Sequence, residues 1–402
     1  MKILIINAHW DNRGDEAAIR SMIMELLALP NVEHITIQRA IGEFGWFPEI
    51  NHVSVIGEFP KTGKAGKTEY YLARKTKGKL VFSQEAKEFY RALNECDVVL
   101  HAPGGPSIGD IYYNQEVIKL RRLQLIIDSG KKLMFYAPSM GPFERQERNP
   151  ERINILKNAD RIVLRENMSR EFLRTIGLAD KAIVTMDSAF QYDFPEKEYE
   201  EQYRNYTELC NFVSNSQGKV IGMTVTDLLW NSKYTDTGID KVIRQAFEEL
   251  ILDLTNEGWS IVFIPQLFGK SNDHIYMQSF ANEKCFVMDD EHDCFFQQYV
   301  IKKMYAVIGM RYHSNIFSAK MGTPFLSVTY EQKMKGFMKK ADLLDYCIDI
   351  NDLSGNLLKE KFNFLIENYD SYSQYLAEKK SEFKAEAHRT TEIVEKLLSE
   401  VK

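Results

Sequence analysis

Residues Tyr305–Lys335, YAVIGMRYHSNIFSAKMGTPFLSVTYEQKMK, decide the fold. Ala306-Val307-Ile308 is short, apolar and mostly β-branched, as a strand buried on both faces of a parallel sheet must be, and Pro324 to Val328 reads as the next such strand. Between them Ile316, Phe317, Ala319 and Met321 keep helical spacing. Ser314-Asn315 supplies residues suited to cap the helix start, and Gly322-Thr323-Pro324 ends it with a glycine able to take left-handed backbone angles and a breaker. Arg311 and His313 therefore fall in the loop between strand end and helix start. In an open α/β sheet, ligands bind beyond the carboxyl ends of the strands, and a helix N-terminus there adds amide donors and a positive dipole. The place suits an anion: Arg311 offers a bidentate fork, and histidine, the residue type at position 313, is able to carry and give up a proton. Tyr330, Glu331, Lys333 and Lys335 follow the second strand at the corresponding end, so the same crevice receives two further cations. A single loop lysine is ordinarily a solvated or ion-paired surface residue; Arg311 with His313 is the pair that stands out.

Working outward, the same strand-then-polar-loop alternation repeats. Lys2 to Ile6 is an apolar run, and Ile19, Met22, Ile23, Leu26 and Leu27 form a helical stripe after it. The join, Asn7 to Asp15, contains Asn12, Gly14 for unusual backbone angles and Asp15 to cap the helix. It contains neither G-x-G-x-x-G nor a P-loop motif, so the usual dinucleotide and ATP sites have no support. Strands are expected at Val32–Arg39, Asp97–His101, Lys132–Tyr136, Arg161–Leu164 and Ala182–Thr185. The loop after His101 carries Gly104-Gly105, which would let backbone amides approach a ligand or simply make a tight turn, and the loop after Leu164 opens on Arg165. Ile41 to Lys79 loses clear period and reads as a long insertion. These elements make residues 1–192 a doubly wound α/β domain with its functional rim at those loops. Residues 193–217, a Glu- and Tyr-rich run, read as a linker. A second α/β domain, 218–350, follows with strands at Lys219–Val225, Trp259–Pro265 and Cys285–Met288 before the opening stretch. Residues 351–402 are a helical C-terminal segment.

Composition bounds the function. The chain has 402 residues, 44% of them apolar and 27% charged, enough for two or three ordinary globular domains. A net charge of −6 argues against general nucleic-acid binding, so an anionic ligand calls for a local basic pocket. No apolar run reaches the ~20 residues that cross a bilayer, and the N-terminal run is too short for a signal peptide. We expect a cytoplasmic protein, at most peripheral to the inner face of the membrane. Cys96, Cys210, Cys285, Cys294 and Cys347 are scattered and odd in number, which suggests neither disulfides nor a zinc site; no metal and no cofactor are expected.

Several of these motifs, taken together, resemble the polysaccharide pyruvyl transferase family over about residues 1–340. They are Asn12-Arg13-Gly14-Asp15, His101 to Gly105, Tyr136 to Gly141, Arg165 to Ser169, Arg311-Tyr312-His313, Gly322-Thr323-Pro324 and Tyr330 to Gly336. The resemblance implies two Rossmann-like domains facing each other across a cleft in the glycosyltransferase-B manner. It implies phosphoenolpyruvate as donor and a sugar or oligosaccharide acceptor, free or lipid-linked, of a cell-surface polysaccharide such as an exopolysaccharide or capsule. The family's Arg-x-His pair falls on Arg311 and His313. On this reading His313 is the acid that protonates the donor methylene, and Arg311 and Lys333 hold the donor anion. Asp15 serves as base, while Asn12, Gly14, Gly104, Gly105, Arg165, Lys335 and Glu331 contact substrate. The alternative is a glycosyltransferase with a nucleotide-sugar donor, its diphosphate in the same crevice and Glu331 on a ribose. A non-catalytic sugar-binding protein is a third possibility. Fold does not separate these three.

Overall fold

The computed structural model describes residues 1–39, 48–231, 233–268, 272–289 and 291–401. The chain divides into two compact units: residues 1–10, 18–192 and 384–402 form the first, and residues 11–17 with 193–383 form the second.

The first unit is built on seven parallel strands: β1 (Lys2–Ala8), β2 (His34–Arg39), β3 (Val53–Ile56), β4 (Val98–His101), β5 (Lys132–Phe135), β6 (Arg161–Leu164) and β7 (Ala182–Val184), in the order β3-β2-β1-β4-β5-β6-β7. Alternate residues of β1 go to opposite faces, as the strand period of two requires. Leu4 and Ile6 join Phe89, Leu93, Leu120 and Leu123, whereas Ile3 and Ile5 join Ile19, Met22, Ile23 and Leu26 of the helix Arg13–Leu27. The C-terminal residues Val394, Leu397 and Leu398 complete this second cluster. Polar bonds fix them there: Tyr136 Oη meets Thr391 Oγ1 at 2.6 Å, Thr185 Oγ1 meets Thr390 Oγ1 at 2.7 Å, and Gln191 Nε2 donates to Ala387 O at 2.8 Å.

Part of the expected insertion 41–79 lies outside the described residues, but the rest is ordered into β3 and the helix Gly63–Thr76. That helix escaped the sequence reading because its buried stripe, Gly66, Glu69, Tyr70 and Ala73, contains few conventional apolar residues.

The second unit has six parallel strands: β8 (Val220–Thr224), β9 (Ser260–Phe263), β10 (Cys285–Val287), β11 (Ala306–Gly309), β12 (Phe325–Thr329) and β13 (Cys347–Asp349), ordered β10-β9-β8-β11-β12-β13. β13 was missed because three residues show no period. Residues 193–217 are not an open linker: they form the helices Glu196–Asn205 and Thr207–Asn215, counted with this unit. Tyr199 packs edge-on to Phe295 and Tyr203 against Tyr299, so the buried face is made of tyrosine bodies that a Glu/Tyr run disguises. The helix Gly355–Glu367 packs Phe362 on Trp259, and Tyr372 Oη donates to Phe325 O at 2.9 Å; the helical C-terminal segment thus serves this unit up to Phe383.

Candidate functional site

In the second unit the chain goes from β8 outward to β9 and β10, then returns to place β11 on β8's other side. The carboxyl ends of β8 and β11 are therefore a topological switch point, where open α/β sheets place their ligands. Met310 N donates to Thr224 O at 2.9 Å and Arg311 N to Thr224 Oγ1 at 3.3 Å, closing the junction.

Arg311 is the extended N-cap residue of the helix Tyr312–Met321, so the helix begins two residues before the Ser314-Asn315 start read from sequence. Both of those side chains point inward instead. Ser314 Oγ donates to Arg311 O at 2.6 Å and meets Thr224 Oγ1 at 2.8 Å, while Asn315 Nδ2 donates to Ser327 Oγ at 2.7 Å. His313 consequently lies in the first helical turn, not in a loop, 8% exposed, its ring edge-on to Tyr312 at 4.9 Å. The helix ends at Gly322 with φ 76°, as expected.

Arg311 is almost wholly buried. Its Nε donates to Asp273 Oδ2 at 3.0 Å, its Nη2 to Asp273 Oδ1 and to Thr226 Oγ1 at 3.2 Å, and its guanidinium lies 5.1 Å from the Trp230 ring centre. Burial acts to lower its pKa, but the charge of Asp273 and the contact with Tyr330 outweigh it and raise the pKa above the usual arginine value. Asp273 Oδ2 also accepts from Gln266 N at 3.2 Å and Leu267 N at 2.9 Å, so one carboxylate fixes both the guanidinium and the turn after β9.

That turn receives residues 11–17. Arg13 N donates to Gln266 O at 3.0 Å, Asn12 bridges Leu267, and the Arg13 guanidinium lies 4.7 Å from the Phe268 ring centre. These contacts are why Asn12 to Asp15, expected on the first domain's rim, are counted with the second unit. Gly14 lies flat against the imidazole: a Cβ there would come within 1.9 Å of His313 Nδ1 and 2.2 Å of its Cγ. The cap of the helix Arg13–Leu27 is Asn12 rather than Asp15; Asn12 Oδ1 accepts from Asp15 N and Asn12 Nδ2 donates to Asp15 Oδ2, each at 2.7 Å. Two helix N-termini thus meet at one imidazole.

The structure brings together Asn12, Gly14, Asp15, Arg311 and His313. Lys333 pairs with Glu331 at 2.5 Å and lies 5.7 Å from the Tyr312 ring centre, so its charge is partly compensated, and Lys335 is exposed, 3.7 Å from Asp349. Gly104, Gly105 and Arg165 belong to the first unit. Arg165 is buried with Nη1 on Asp187 Oδ2 at 2.7 Å and Nε on Ser139 Oγ at 2.9 Å, and Gly104, at φ 129°, accepts from Ser139 N at 3.1 Å. His101 is a structural histidine, its Nδ1 2.7 Å from Ala102 O and its Nε2 2.6 Å from Ser107 Oγ; burial pushes its pKa down to about 3. Sequence reasoning missed Asp273, Thr226, Trp230 and Gln266, which carry no motif of their own. Among the described residues no group of three His, Cys, Asp or Glu is placed to hold a metal, and none of the five cysteines is in a disulfide.

Fold and site together define a two-domain, parallel-sheet α/β protein of the glycosyltransferase-B-like class, with Arg311 and His313 at the switch point of its second sheet. Residues 12–332 match the family model of polysaccharide pyruvyl transferase, and the chain belongs to that family, a transferase family of polysaccharide biosynthesis. It is 24% identical to the amylovoran biosynthesis protein AmsJ of Erwinia amylovora, over 94% of this chain and 95% of that one. Among solved structures, UDP-GlcNAc 2-epimerase from Neisseria meningitidis, bound to UDP-GlcNAc, superposes with TM-score 0.58 at 14% identity, covering 99% of this chain and 100% of the other. Anabaena HepE, in complex with UDP-glucose, gives 0.59 at 12% identity, with 100% of both chains covered. At these identities the structures establish the fold alone.

Proposed function

We propose that the protein transfers a pyruvyl group from phosphoenolpyruvate to two hydroxyls of one sugar in a cell-surface polysaccharide or its precursor, forming a cyclic ketal and releasing phosphate. Within a chain of this family, the observation that carries the reading is the meeting of two helix N-termini at His313 beside a buried Arg311. The positive ends of two helix dipoles favour a small, multiply charged anion, and phosphoenolpyruvate carries both a carboxylate and a phosphate. The Nε–Nη2 edge of Arg311 is occupied by Asp273, so we assign Arg311 to fixing the turn and supplying positive potential, with the donor held by the field of the two helix N-termini and by Lys333.

His313 then protonates the methylene carbon of the donor, which makes C2 electrophilic, and the first sugar hydroxyl adds to C2 as Asp15, held by Asn12, takes its proton. The C2–O bond to phosphate breaks, the field of the two helix N-termini stabilising the leaving anion. The second hydroxyl adds to C2 and its proton leaves with the phosphate, giving one ketal and one phosphate per donor.

The test is acceptor-dependent phosphate release from phosphoenolpyruvate, followed by mass analysis of the acceptor for one added pyruvyl ketal. Release of a nucleoside diphosphate from a nucleotide sugar, with phosphoenolpyruvate inert, would replace this reading with the glycosyltransferase one. Gly14→Ala provides a second check. The added methyl has to displace His313 or the helix turn, and a shift of about 1 Å in a reacting group costs on the order of 10²-fold in turnover. Full turnover by Gly14→Ala would remove His313 from the reaction centre.

A further inference from the structure

We propose that residues 61–82 of the first unit form a docking surface for an anionic lipid bilayer. The segment holds seven lysines or arginines and one glutamate, a net of +6 within a chain whose net charge is −6. The helix Gly63–Thr76 turns Gly66, Glu69, Tyr70 and Ala73 inward and presents Lys64, Lys67, Tyr71 and Lys75 at helical spacing on its exposed face. Lys61 pairs with Glu85 at 2.7 Å and Arg74 with Asp128 at 2.6 Å. The exposed Lys64, Lys67, Lys75, Lys77 and Lys79 make no ion pair among the described residues.

Apolar groups stand among these cations. Tyr71 is 53% exposed, its ring edge-on to Tyr70 at 5.1 Å, and Leu80 is 50% and Phe82 64% exposed. Phe82 is held there by the segment's one acid. Glu69 is buried, and its Oε1 accepts from Phe82 N and Ser83 N at 2.7 Å while its Oε2 accepts from Ser83 Oγ at 2.9 Å; Leu80 N donates to Thr76 Oγ1 at 3.0 Å. The negative charge is thus turned inward and spent on fixing the chain that carries Phe82. Lysines interleaved with an exposed Phe, Leu and Tyr are the chemistry of a surface that lies in the headgroup region of an anionic leaflet, with the cations on phosphates and the apolar tips below them. A nucleic acid would use the charges and could stack a base on Phe82, but would leave the aliphatic Leu80 without a purpose. The chain has no helix, among the described residues, long and apolar enough to cross a membrane, so contact through this segment would be peripheral.

The experiment is sedimentation of the full chain with vesicles of phosphatidylcholine alone or mixed with phosphatidylglycerol. Binding is expected to the mixed vesicles and not to the neutral ones, and to fall as salt rises from about 0.1 M to about 1 M and the screening length drops from about 10 Å to about 3 Å. One cation near an anionic surface is worth about five-fold in partitioning. Lys64→Glu/Lys67→Glu/Lys75→Glu should therefore lose at least about 10²-fold, and Phe82→Ser about ten-fold. All four positions are exposed and the three lysines unpaired, so folding, checked by circular dichroism, and phosphate release with a soluble acceptor should be unchanged. Equal binding to neutral vesicles, no binding to anionic ones, or wild-type binding by the triple variant would overturn the proposal. So would DNA binding as tight as that to vesicles and indifferent to Phe82→Ser, which would mark a general polyanion surface.

Discussion

Asp273→Ala is expected to destabilise the second unit by about 3–5 kcal/mol, the range for breaking a buried ion pair by removing one partner. Arginine does not deprotonate to escape burial. Without Asp273, the guanidinium of Arg311, 8% exposed, keeps Thr226 Oγ1, the Trp230 face and its contact with Tyr330, but no countercharge among them. Gln266 N and Leu267 N lose their acceptor in the same step. For a unit of this size the loss corresponds to a melting shift on the order of 10 °C, read on the transition of the second unit because a two-unit chain need not unfold in one step. The double variant Asp273→Ala/Arg311→Met decides the cause. Removing both charges leaves no orphan, so much of the stability should return. If the double variant melts as low as the single one, the destabilisation comes from the lost turn and not from the stranded guanidinium.

The βαβ framework of both sheets is legible because parallel strands buried on both faces must be short and continuously apolar, and the helices between them must be amphipathic. Where that signal is weak the reading fails. The helix Gly63–Thr76 buries a glycine and a glutamate, the helix Glu196–Asn205 buries tyrosines, and β13 has three residues. The site divides in the same way. Arg311 and His313 are visible from their place after β11, but the two-residue error in the helix start arises because Ser314 and Asn315, typical cap residues, bond instead to Arg311 O and Ser327 Oγ. Partners distant in sequence leave no local trace. Asp273 lies 38 positions from Arg311, and the need for glycine at position 14 is set by a histidine almost three hundred residues later. Nor does any periodicity reveal that residues 11–17 are counted with the second unit while the strand before them belongs to the first.

His313→Ala is expected to lower turnover by about 10²- to 10⁴-fold while leaving donor affinity largely intact. A positioned acid helps mainly in the transition state, whereas the helix N-termini and cations that grip the donor act in ground and transition states alike. Truncation also opens space against Gly14, and this gives a structural role its own forecast. If His313 serves only to pack against Gly14, Tyr312 and Phe317, its loss should lower the melting temperature and leave the activity of each folded molecule unchanged. His313→Gln separates the two roles, since it refills most of the volume and keeps a polar tip but has no proton to give near neutral pH. An acid role requires Gln to be as inactive as Ala with stability restored; a packing role requires Gln to recover activity with it. Donor affinity by calorimetry, phosphate release and melting on the same two variants measure all of this. Wild-type turnover by a folded His313→Gln protein would end the assignment of His313 as the proton donor.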